Sequence, residues 1–408
     1  MQSNRLYFGW RVMLAIFSVT LLAASSWAVT EQVLHSFNSN GKDGNSPYAG
    51  LIIDKSGNLY GTTLLGGTHA YGTVFELTPK SGGGWTEKIL HDFDGADGYY
   101  PQAGVIMDAS GNLYGTTVAG GAHGVGTVYE LLPTGGRWTE KVLHSFSDNG
   151  KDGYQPYAGL TFDTPGNLYG TTYFGGTHGY GTVFELSPKT GGWMETILYS
   201  FNGDGKDGYD VYSGVVFDKS GNLYGTTLWG GAYDYGTVYL LSRKAGGGWA
   251  EKVIHSFNDN GNDGYNPYAG VIVDASGNLY GTTLGGSDTN GSGTAYELSP
   301  KKVGGWAEKI LNNVIDADGS QPYGGLIFDS AGNLYGTTLY GGVNGKGNVF
   351  ELTRKAGQWT EQALYSFNYD PDGGYPYAGL VLDGAGNLYG TTYQGGTYGY
   401  GTVFEITP

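Results

Sequence analysis

Three histidines, His69, His123 and His178, stand at the same place in three successive stretches of this 408-residue chain, each two residues behind a Gly-Gly pair. Tyr71, Tyr180, Tyr233, Tyr235, Tyr398 and Tyr400 occupy neighbouring places in the same kind of stretch, and Phe174, Trp229 and Tyr340 directly precede a Gly-Gly pair. Exposed aromatic faces of this kind stack on sugar rings while nearby Asp and Asn groups bond sugar hydroxyls. Packing of one loop on the next accounts for the same residues without a ligand. A second chemistry is suggested by Asp92-Phe-Asp94-Gly-Ala-Asp97-Gly98, whose spaced carboxylates resemble part of a calcium loop. No glutamate closes it at the twelfth position, so it is not an EF-hand, and Asx-turns account for the aspartates without metal. Calcium is therefore the one cofactor considered.

Catalysis is a third possibility. Paired carboxylates serve glycoside cleavage, and a histidine can assist a lyase. Yet the aspartates recur in nearly every stretch, whereas a catalytic site needs one singular constellation. Four further histidines, His35, His91, His144 and His255, recur at one position and read as satisfied interior residues. The expectation is a non-enzymatic binding or scaffold module, with a polysaccharide-active hydrolase or lyase as the alternative. Two stretches break the pattern, Ser287 to Gly293 and Asn312 to Asp318, and mark either an asymmetric site or, as the better reading, drift.

The elements that position these residues are legible as a repeat. Gly-Asn-Leu-Tyr-Gly-Thr-Thr begins at Gly57, Gly111, Gly166, Gly221, Gly277, Gly332 and Gly386, at intervals of 54 to 56 residues. Each unit divides into four strand candidates, a to d, which in the third unit are Pro156 to Phe162, Leu168 to Thr172, Gly181 to Leu186 and Trp193 to Phe201. Asp54, Asp108, Asp163, Asp218, Asp274, Asp329 and Asp383 open the a–b turns, where an aspartate caps backbone amides. Seven four-stranded units predict an all-β, seven-bladed β-propeller. The ends agree: Val29 to Phe37 matches strand d and Gly401 to Thr407 matches strand c, so the N-terminal strand joins the last blade and closes the ring. Trp85, Trp138, Trp193, Trp249, Trp306 and Trp359 open d strands and read as packing between blades.

Strand alternation puts the b–c and d–a loops on one face, with the aromatics, histidines and aspartates above. The Gly-Asn-Leu-Tyr-Gly-Thr-Thr element, its Gly-Gly pair and the Gly-Thr-Val-Phe-Glu-Leu strand resemble the tandem GloVer repeat of choice-of-anchor proteins. The resemblance covers residues 29–408 and implies an exported repeat protein, often with a variable C-terminal sorting segment. It implies no activity and no catalytic residue.

Export is also suggested by residues 1–28. Arg5 and Arg11 precede an apolar run from Val12 to Ala24, and Ser26-Trp27-Ala28 fits a signal-peptidase site. The apolar run is shorter than the roughly 20 residues of a membrane span. The expected location is secreted or at the cell surface, or periplasmic, with no membrane contact after cleavage. The absence of cysteine excludes disulfides and thiolate sites. The formal net charge of −16 disfavours nucleic acid as a partner. The expected partner is an extracellular polysaccharide or a surface protein. Donation of residues 29–37 to a neighbouring copy would instead make a structural subunit by self-association.

Overall fold

The computed structural model describes residues 29–286, 292–313 and 319–408. The expected signal segment lies outside these residues, and so do most of the two irregular stretches. Seven four-stranded antiparallel blades run a-b-c-d in chain order from the axis outwards. Blade 1 comprises Ile52–Ile53, Leu59–Thr63, Thr73–Pro79 and Trp85–Asp92. Blade 7 takes Val381–Leu382, Leu388–Thr392 and Thr402–Thr407 from the end of the chain and Thr30–Ser36 from its beginning. The closing pair runs in register from Thr30 opposite Thr407 to Ser36 opposite Thr402.

Strand a is shorter than its sequence suggests, Thr161–Phe162 against an expected seven residues in blade 3. The reason is crowding at the axis. A methyl group on Gly104 would lie 2.8 Å from the Gly50 carbonyl oxygen, and one on Gly379 2.8 Å from that of Gly325. The segments just ahead of strand a, such as Tyr48-Ala-Gly50 and Gln102-Ala-Gly104, therefore meet backbone to backbone.

Every residue of the repeated heptapeptide has a physical role, which blade 1 illustrates. Asp54 Oδ1 accepts the amides of Ser56 and Asn58, while its Oδ2 accepts the Asn58 amide side chain at 2.9 Å and the Tyr60 hydroxyl at 3.2 Å. The seven turn aspartates are thus consumed in capping. Leu59 is fully buried, and Gly61 lies under the Phe75 ring, where a methyl would stand 2.6 Å from it. The next threonine reaches sideways. Thr62 donates its hydroxyl to the Ala103 carbonyl of blade 2 at 2.9 Å, and Thr391 of blade 7 closes the circle on Ala49 of blade 1. All seven blades make this bond, at 2.7 to 3.3 Å. The last threonine pairs inside its own blade, Thr63 with Thr73 at 2.8 Å.

Apolar burial follows the same logic. The buried side chains form seven clusters, each shared by two adjacent blades. Between blades 7 and 1, Phe37, Leu51, Leu59, Phe75 and Val403 pack together. The tryptophans that open the d strands lean on the tyrosine of the preceding blade, as Trp85 does on Tyr389 and Trp138 on Tyr60.

One local feature was invisible in the sequence. Every d strand carries a β-bulge, so that in blade 1 Ile89 pairs with Phe75 and His91 with Val74, leaving Leu90 as the extra residue. Period-two alternation would put Glu87, Ile89 and His91 on one face. The bulge reverses the parity after Leu90, and His91 faces blade 2 while Glu87 faces blade 7.

Two outcomes follow. Thr116→Val keeps the shape of a buried side chain but orphans the Ala158 carbonyl, and should lower stability by about 1–3 kcal/mol in urea titration. Removing residues 29–37 leaves Thr402–Thr407 as an open edge; the melting temperature should drop, and light scattering should reveal concentration-dependent association. A compact monomer of unchanged melting temperature would contradict the closing role of that strand.

Candidate functional site

The b–c and d–a loops lie on one face because they pair directly. In blade 1 Asn45 pairs with Leu65, in blade 3 Tyr154 with Phe174, and in blade 4 Tyr209 with Trp229. Ser320 and Tyr340 form the matching bridge in blade 6. Phe174 and Trp229 thus stand on two-residue ladders and Tyr340 on the single bridge at the equivalent place. Trp229 and Tyr340 are exposed, while Phe174 is half-buried against Tyr173 and Tyr154.

The other loop aromatics bridge blades. Amides of the next d–a loop bond the carbonyls of Tyr71, Tyr235 and Tyr400, from Tyr100, Asn266 and Ser46. Ring contacts add to this, Tyr71 on Tyr99 at 5.1 Å, Tyr180 on Tyr209 at 5.7 Å and Tyr235 on Tyr265 at 5.6 Å. Tyr233 and Tyr398 are the most open of the set, at 55% and 58% exposure. His69, His123 and His178 are exposed on three successive blades and do not converge on one centre.

A groove of 560 Å³ opens between the loops of blades 3 and 4, lined by Tyr180, Tyr209, Tyr233, Asp234, Ala232 and glycines. Tyr209 donates its hydroxyl to Asp234 Oδ1 at 2.9 Å. Burial, then that carboxylate, pushes the Tyr209 phenol up to about 12. Tyr180 and Tyr233 were expected here. Tyr209 and Asp234 were not singled out, although the Tyr after each Asp-Gly signals the d–a loop. At the axis Tyr48, Tyr157, Tyr212, Tyr268, Tyr323 and Tyr377 ring the mouth of the channel with Gln102 in the seventh place, and the Tyr48 and Tyr268 hydroxyls meet across it at 2.9 Å.

The three aspartates considered for calcium serve separate partners. Asp92 Oδ2 accepts the Thr68 amide, Asp94 Oδ1 the Ala96 amide, and Asp97 both the Asp94 amide and the His91 ring. Among the described residues they do not form a group whose ligand oxygens all lie within 4.8 Å of one another.

Of the four d-strand histidines read as satisfied interior residues, His91 is bonded, whereas the Nε2 atoms of His35, His144 and His255 are buried without a hydrogen bond. The bulge turns all four into the cleft between one blade and the next, where each meets an aspartate of the d–a loop and three of them also a glutamate of the next d strand. His35 meets Asp43 and Glu87, His144 meets Asp152 and Glu195, and His255 meets Asp263 and Glu308. His91 contacts Asp97 at 2.8 Å. Tyr199 and Tyr365 take the histidine's place in two junctions and donate to Asp207 and Asp372. Asn312 takes it in another and bonds Glu361.

Comparison with known proteins follows from this repeat geometry. The model of the Gloeobacter/Verrucomicrobia repeat matches residues 15–239 and again 211–408. The chain belongs to the Gloeobacter/Verrucomicrobia repeat family. No curated protein matches it. Among solved structures it is similar to a candidate 6-phosphogluconolactonase from Bacteroides fragilis, with 14% identity, a TM-score of 0.50, and coverage of 83% of this chain and 87% of that one. A puromycin-hydrolyzing peptidase from Mycobacterium tuberculosis matches with 10% identity and a TM-score of 0.50, covering 88% of this chain and 52% of that one. At such identity these likenesses show the fold alone.

In this Gloeobacter/Verrucomicrobia repeat chain, each described junction places two carboxylates from adjacent blades together, and the glutamate absorbs the strain. Burial, then Asp207 and Asp204, pushes Glu251 up to about 8, while Tyr199 and Lys206 line the same hollow. Burial pushes Glu31 up to about 7, and Asp372 adds to it. The folded chain therefore holds a proton at Glu251 that the unfolded chain releases near 4.5. That contribution is complete below about pH 4.5 and is lost as pH rises through about 8. Glu251→Gln should accordingly gain in melting temperature relative to the parent as pH rises over that window. A constant difference across it would show that Glu251 titrates normally.

Proposed function

We propose that the chain is an exported, non-enzymatic binding module that takes extracellular polysaccharide on its b–c and d–a loop face. The observation that carries this reading is the groove between blades 3 and 4. There Tyr180, Tyr209 and Tyr233 present aromatic surface beside Asp234, and the exposed Trp229 lies on the paired ladder. Ring faces for stacking next to a carboxylate for hydroxyl bonding form the pattern that binds sugars. The non-enzymatic part is supported by the engagement of the turn aspartates in capping and by the repetition of the junction carboxylates around the ring. A multivalent mode fits the exposed Tyr340, Tyr398 and Tyr400 on other blades. Calcium has no part in the proposal.

A glycan array probed with the purified chain tests it. Binding to at least one polysaccharide class is expected, with affinity reduced about tenfold or more in Tyr180→Ala/Tyr233→Ala, a loss of about 1.4 kcal/mol. Uniform silence across the array would remove the polysaccharide reading. Release of new reducing ends from a bound glycan would overturn the non-enzymatic part.

A further inference from the structure

We propose that three of the seven blade junctions are sites for a divalent transition metal of the zinc class, each holding one ion between two blades through a histidine, an aspartate and a glutamate. The junction of blades 2 and 3 shows the geometry. His144 Nε2 stands 3.4 Å from Asp152 Oδ2 and 3.7 Å from a Glu195 carboxylate oxygen. The junctions of blades 7 and 1 (His35, Asp43, Glu87) and of blades 4 and 5 (His255, Asp263, Glu308) repeat it, at 3.4 and 3.8 Å and at 3.3 and 3.5 Å. In each group, ligand atoms from the three residues lie within 4.8 Å of one another. Two ligands bound to one tetrahedral ion at zinc's usual bond lengths stand about 3.3–3.6 Å apart, so the observed separations need only a small contraction.

The donor atoms are also left waiting. Each of the three histidine Nε2 atoms is buried and makes no hydrogen bond, because the nearby carboxylate is not aligned with it. One oxygen of each glutamate is buried without a partner as well. The aspartate side chains are more than nine-tenths buried, 5%, 8% and 9% exposed, and in each Oδ1 has no partner while Oδ2 faces the histidine. A loop amide holds that Oδ2 in place, from Asn38, Ser147 or Asn258, as an outer shell does for a metal ligand. Buried polar groups are seldom left unmatched. An imidazole nitrogen among the donors selects zinc and its neighbours over calcium and magnesium, which take oxygen.

Other junctions of the same ring provide the contrast. Where tyrosine replaces histidine, its own hydroxyl proton fills the gap, with Tyr199 2.9 Å from Asp207. At the junction of blades 1 and 2 the histidine and aspartate are six residues apart in sequence instead of eight, and His91 bonds Asp97 directly. Blade junctions of this chain therefore fold with either tyrosine or histidine, and an ion would pin together two blades that otherwise meet through packing and hydrogen bonds.

The test is the metal content of the full chain, stripped with chelator, dialysed against zinc sulfate and then against metal-free buffer. Three zinc ions per chain are expected, with cobalt giving tetrahedral d–d absorption and zinc raising the melting temperature. His144→Tyr copies a residue that two other junctions accommodate, and should reduce the count to two. The triple variant His35→Tyr/His144→Tyr/His255→Tyr should hold none, while His91→Tyr should leave three. Zinc that disappears in the triple variant supports the proposal. A parent chain that retains no zinc, or zinc that survives in the folded triple variant, overturns it.

Discussion

A strand buried on both faces cannot reach water, and every polar group it carries must find a partner inside the ring. Strand b of each blade is in that position, with all five residues of Leu-Tyr-Gly-Thr-Thr buried. The first threonine resolves the constraint by bonding a carbonyl just ahead of strand a in the next blade, and the second by pairing across its own sheet. The glycine between Tyr and Thr is equally required, since the aromatic ring of strand c occupies the space of a side chain. The short inner strands, the shared cores and the outer junctions are all arranged around that strand.

Much of this was legible in the sequence because repetition exposes physical necessity. The heptapeptide gave the blade number, its turn aspartates read correctly as caps, and the match of Val29 to Phe37 with other d strands identified the closing pair. The junctions were not legible. Alternation along Glu87, Ile89 and His91 implies a single face, and only the bulge at Leu90 sends the histidine to the opposite neighbour. Bulges leave no simple mark in residue type, so the histidines looked like interior residues. The groove was half visible for a related reason. Tyr180 and Tyr233 stand in one kind of loop, but Tyr209 comes from another, and only the pairing of Tyr209 with Trp229 shows that the loops touch.

The face and the rim divide the chemistry between them. Loop aromatics on the face vary from blade to blade in type and exposure, and between blades 3 and 4 three tyrosines and a carboxylate line one groove. The rim repeats one theme with small changes, a histidine or tyrosine beside carboxylates of the adjoining blade, or Asn312 beside Glu361. Variation on a fixed frame is what permits a recognition surface to change without disturbing the scaffold.

The N-terminal strand has a consequence in time. Residues 30–36 leave the ribosome before any blade is made, yet their partners, 402–407, are made last. Until then blade 7 has no outer strand, and the strand that carries Glu31 and His35 has no partner. Contacts of such long sequence separation form late and slowly. Ring closure therefore reports on completeness: a chain that stops short of its last strand keeps an open edge, marked as unfinished for whatever surveys its folding.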